Sequence, residues 1–145
     1  MKRHPALAPL SRDHHAALIL SRLLQADAPA YKTLPVEPAE KALYAYKVYK
    51  EELCPHFSTE EAAMNLLAGL DPGLDELISR IFYEHGELHH YFSVIKAGEC
   101  SPEFLDMLGK YLELHIRKEE RQLFPLIQEK AGEAFLARLE QITSK

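Results

Sequence analysis

A chain of 145 residues, 47% of them hydrophobic, can bury a full core without staples, and residues 1–145 read as a single domain. Its net charge of −5, from 17 basic and 22 acidic residues with no basic block, gives nucleic acid or an anionic membrane no electrostatic footing. The longest apolar run, Ala16-Ala17-Leu18-Ile19-Leu20, is far short of the ~20 residues of a bilayer span, and Met1-Lys2-Arg3-His4-Pro5 leads into no secretory core, so a cytosolic protein is expected. Apolar residues then recur at helical spacing along the chain, which predicts an all-α fold. Leu7, Leu10, His14, Leu18 and Ser21 mark a first helix ending before Asp27-Ala28-Pro29, and Pro29, Pro35 and Pro38 make an extended linker. A second helix is predicted from Pro38 to about Leu70, kinked near Pro55, where the hydrogen-bond ladder loses a donor.

Asp71-Pro72-Gly73 is turn chemistry. Beyond it, Leu77, Ile81, His85, Leu88, His89 and Phe92 form the inner face of a third helix that Gly98 ends. Ser101 before Pro102 opens a fourth helix along Leu108, Leu112, His115, Glu119, Leu123 and Leu126, bent near Pro125. The segment with Phe135, Leu136 and Leu139 either continues that helix or forms a short fifth one beyond Gly132. Short loops between amphipathic helices favour an antiparallel up-down four-helix bundle.

Eight histidines stand out in a chain with no tryptophan. Residues four apart on a helix share a face, and three helices carry such pairs: His56 with Glu60, His85 with His89, and His115 with Glu119. Each pair lies on an apolar stripe, as His56 and Glu60 do with Leu53, Phe57, Met64 and Leu67, and His14 adds an imidazole from the first helix. Any one of these residues alone reads as a hydrogen-bonded core group or an ion pair. Together they place too much polar surface in the core for that reading, because each unpartnered buried imidazole or carboxylate costs several kcal/mol. Metal ions would satisfy all seven at once. His15 competes with its neighbour His14 for the inward position, whereas His4 and His90 are expected in solvent. Glu61 and Glu120 follow inward residues by one position and point sideways, within reach of a supporting role to the histidines.

Nitrogen and oxygen donors without sulfur suit iron, manganese or zinc, and seven donors are too many for one tetrahedral zinc, so two metals are implied. If both are six-coordinate, about one of roughly twelve positions stays open, enough for a small diatomic or a peroxide. Cys54 and Cys100 belong to no Cys-x-x-Cys pair and read as reduced and structural. His85-Gly86-Glu87-Leu88-His89 lacks the glutamate after its first histidine that a zinc-protease helix needs, and Glu87-x-x-His90 is half of a ferritin-type motif on the outer face.

Asp13-His14, the segment from Pro55 to Glu61, the pair His85/His89 and the segment from His115 to Pro125 resemble the hemerythrin-like, or HHE cation-binding, family over residues 10–127 or so. The His115-x3-Glu119 spacing is similar to the bacterial branch, whereas animal members close with His-x4-Asp. The resemblance implies a cofactor of two non-haem iron ions with an oxo or hydroxo bridge. His85, His89 and His115 would hold one iron, His14 and His56 the other, and Glu60 and Glu119 would bridge them. It further implies binding or sensing of O2 or nitric oxide at an open iron position, the alternative being a di-iron redox enzyme active as a peroxidase, in nitric-oxide scavenging or in iron–sulfur cluster repair.

Overall fold

Of the six described helices with a proline in the first turn, two are capped by the side chain just before it. Asp71 accepts from the Leu74 N–H at 3.0 Å and Ser101 from the Phe104 N–H at 3.2 Å, each satisfying a donor that the first turn leaves without a partner. The computed structural model describes residues 2–30, 33–98 and 100–144, so Met1 and residues 31 and 32 of the predicted linker lie outside the described residues. Among those described, every regular element is helical and none is long and apolar enough to cross a membrane.

Helix α1 spans Ala8–Leu24. Its mouth is braced by His4, whose carbonyl accepts from the Leu7 and Ala8 N–H groups, whose Nδ1 accepts from Ala6 N–H at 3.0 Å, and whose own N–H donates to Gln128 at 2.9 Å. His4 is half-buried, not solvated as its terminal position suggests, because the far end of the chain packs beside it. The second rod runs as α2 (Pro38–Val48), a π turn (Tyr49–Leu53) and α3 (Cys54–Leu66). After α4 (Pro72–Lys96), the last rod is built the same way from α5 (Pro102–Lys118), a second π turn (Glu119–Leu123) and α6 (Phe124–Lys130). These four rods form the up-down bundle. Helix α7 (Glu133–Thr143) is separate, packs against α3, and ties back to the start of the chain through Thr143, whose hydroxyl donates to the Ala6 carbonyl at 2.6 Å.

Each π turn sits just before a proline. Cys54 N–H bonds to the Tyr49 carbonyl and Phe124 N–H to the Glu119 carbonyl, five residues back in both cases. Pro55 and Pro125 have no N–H to give, and their rings would strike a carbonyl four residues back in a regular helix. One wider turn moves that carbonyl aside, so both rods continue through their prolines.

Helices α1 and α5 pack closely at Gly109, where a Cβ would lie 2.5 Å from the Ser21 carbonyl oxygen. At the other end of α4, Gly98 takes a φ of +116° and ends the helix. The core is divided into two apolar clusters. One holds Leu20, Phe57, Leu88, Phe92 and Leu112, the other Leu10, Met64, Ile81, Leu123 and Phe124. Between them lies a layer of polar residues that each rod supplies at the same height.

Candidate metal centre

The polar layer follows from the order of residues along each rod. His14 lies between Leu10 and Ala17, His56 and Glu60 between Leu53 and Ala63, His85 between Ile81 and Leu88, and His115 with Glu119 between Leu112 and Leu123. Members of both apolar clusters flank every polar group, so helical periodicity alone brings six side chains to one level of the core. None of the six is more than 5% exposed, and Glu119 is fully buried.

Eight atoms of these six residues have no hydrogen-bond partner: Nε2 of His14, His56, His85 and His115, and both carboxylate oxygens of Glu60 and Glu119. His85 Nε2 is 2.8 Å from Glu60 Oε1 and His14 Nε2 is 3.0 Å from Glu119 Oε1, but neither pair is aligned as a hydrogen bond. Donor atoms converge in two sets, each within 4.8 Å: His14, His56, Glu60 and Glu119, and then Glu60, His85, His115 and Glu119. The two glutamates belong to both. Orphaned carboxylate oxygens and imidazole nitrogens facing one another are what a cation accepting nitrogen and oxygen would reconcile, and the residues fit such a group.

Electrostatics bear out the crowding. Burial opposes a charge on His14, His56 and His85, but the contacts of His14 with Glu119 and Glu120, of His56 with Asp13 and Glu60, and of His85 with Glu119 and Glu60 outweigh it. They hold these imidazoles at about 9, about 10 and about 10, against an ordinary 6.5. Burial likewise opposes ionisation of Glu60, yet its contacts with Glu119, His56 and His85 keep it well below the usual carboxylate range.

The opposite ring nitrogen of each histidine is engaged too. Asp13 of α1 holds His56 Nδ1 at 3.0 Å, Glu61 of α3 holds His85 Nδ1 at 2.7 Å, Glu84 of α4 holds His115 Nδ1 at 2.7 Å, and Glu120 of the second π turn holds His14 Nδ1 at 2.6 Å. These four bonds form a closed circuit: each rod lends an acid to the histidine of the next, and the last returns to the first. With Nδ1–H donated outward, Nε2 is the nitrogen that turns a lone pair inward once its proton leaves, the arrangement that supports a ligating imidazole. Ser11 and Arg3 in turn hold Glu120, at 2.8 and 3.0 Å, and Lys118 holds Glu84.

His89 stands apart from both sets. It is half-buried, and its Nδ1 lies 2.5 Å from the Tyr49 hydroxyl instead of a carboxylate. His15 and His90 are exposed, which leaves His14 as the inward member of its pair. Sequence reasoning gave Glu61 and Glu120 a supporting role, named Asp13 only as part of the Asp13-His14 motif, and missed Glu84 and Tyr49. Asp13 precedes His14 and Glu84 precedes His85, and a step of about 100° on a helix turns such a neighbour toward the adjoining rod. Phe57 stacks on His85 with centroids 4.2 Å apart and Phe124 on His14 at 5.6 Å, so aromatic rings wall the layer.

Fold and site together define an all-helical bundle protein with a buried cluster of histidines and glutamates built to bind cations. The hemerythrin HHE cation-binding domain model matches residues 6–127, and the chain belongs to that family. Comparison with curated proteins and with solved structures gave no match.

Proposed function

We propose that the chain is a non-haem di-iron protein that binds or senses O2 or nitric oxide at an open iron position. The observation that carries the reading is the pair of four-residue donor sets sharing Glu60 and Glu119, because two carboxylates common to both are the natural bridges of a binuclear centre. Family membership supports iron, and the absence of sulfur among the converging donors agrees with it. In this reading His14 and His56 serve one ion, and His85 and His115, with His89 as a further donor, serve the other. Iron held there would supply the electrons and the open coordination for a small diatomic or peroxide ligand.

The remaining work belongs to the chain. Asp13, Glu61, Glu84 and Glu120 set the tautomer and orientation of four imidazoles, so little has to reorganise when a cation binds. Phe57 and Phe124 shield the layer from water on the sides where they stack. Metal analysis of anaerobically purified protein, followed by an optical spectrum on admitting air, tests the proposal. About two irons per chain and a reversible spectral change are expected. Protein that folds with no metal under iron-replete conditions would overturn it, and steady consumption of peroxide or nitric oxide would replace the carrier or sensor with an enzyme.

A further inference from the structure

Each π turn begins with a residue aimed at the polar layer. In the second it is Glu119, a member of both donor sets, and in the first it is Tyr49. The two turns share a pattern, Leu53-Cys54-Pro55 and Leu123-Phe124-Pro125, in which that first residue stands six positions before the proline. Tyr49 is buried, its ring stacks on Phe92 with centroids 4.4 Å apart, and its hydroxyl meets His89 Nδ1 at 2.5 Å. A phenol therefore stands where the other four histidines have an acid.

We infer that Tyr49 is a positioning residue that presents His89 as the exchangeable fifth imidazole donor, on the side of the centre formed by His85 and His115. The inference rests on the metal-binding reading of the two donor sets. His89 follows His85 by one helical turn on α4, so the two rings emerge from the same face. When Nδ1–H donates to the tyrosine oxygen, Nε2 is the nitrogen left to ligate, as in the other four rings. Cys54 lies beside that hydroxyl, and its sulfur can accept the phenolic O–H, which leaves an oxygen lone pair to accept from Nδ1–H. A neutral phenol polarises an imidazole less than a carboxylate does, and His89 is half-buried where the other four are enclosed. His89 is thus the donor held most weakly, and its ion is the one that exchanges first.

The test uses cobalt(II) alone as the probe, titrated against the metal-free full chain with chelator competition and the visible ligand-field spectrum as readouts. Tyr49→Phe keeps the ring on Phe92 and removes only the oxygen. The expected result is that one of two bound ions is loosened by about tenfold, with a changed spectrum for that ion. His89→Ala should loosen the same ion at least as much, and Tyr49→Phe should add nothing in the His89→Ala background. Tyr49→Gln, which again offers an oxygen to Nδ1–H, should recover part of the affinity. Equal loosening of both ions, an unaltered affinity in Tyr49→Phe, or the same loss with His89 already absent would each overturn the inference. A wild-type chain that takes up no cobalt would overturn the metal-binding reading itself.

Discussion

At the scale of single residues, the acids behind the histidines separate geometry from mere charge. Glu84 and Glu87 lie on the same helix three positions apart, but Glu84 holds His115 whereas Glu87 faces Tyr83 and Tyr91. Glu84→Gln should weaken metal binding by about 10- to 100-fold, and Glu87→Gln should leave it unchanged, as read by chelator competition. The raised imidazoles make a second prediction. In chelator-stripped protein, His14, His56 and His85 bind protons more tightly when folded than when unfolded. Their contribution is complete below 6.5 and is lost as pH rises through about 9 to 10, so the melting temperature of stripped protein should fall across that window. Cations must displace those same protons, so metal affinity should rise over the same range and binding should release protons into a weak buffer.

At the scale of elements, the helices were legible because their signals are local. Stripes such as Leu77, Ile81, His85 and Leu88, the turn at Asp71-Pro72-Gly73 and the cap Ser101 are read within one or two turns, and the structure starts α4 at Pro72 and α5 at Pro102. The same locality hid the π turns. A proline inside a helical pattern reads as a kink near Pro55 or Pro125, and nothing nearby tells a break from a turn widened to pass the ring. Tyr49 was invisible for that reason, since its partner lies 40 positions away and its direction depends on the turn. The inward histidines and glutamates, by contrast, were apparent as polar residues on apolar stripes. The close packing of α1 on α5 gives its own prediction. A methyl group at Gly109 would meet the Ser21 backbone, which no rotamer change can relieve, so Gly109→Ala should cost about 1–3 kcal/mol in urea unfolding.

At the scale of the whole molecule, two apolar clusters are separated by one polar layer, and the layer is stable only when its charges are answered. Stripping the metal should therefore lower the melting temperature, and restoring it at a hundredfold excess over its Kd should return about 2.7 kcal/mol of stability for each ion bound. The circuit of acids and histidines has a consequence in time. Its last joint, His14 to Glu120, spans 106 positions, and until it closes the first helix brings an imidazole with nothing to orient it. A polypeptide still being synthesised has only part of its cage until the residues beyond His115 emerge. Cation capture therefore belongs to the finished chain, and ribosome-bound fragments ending within α4 should carry no metal.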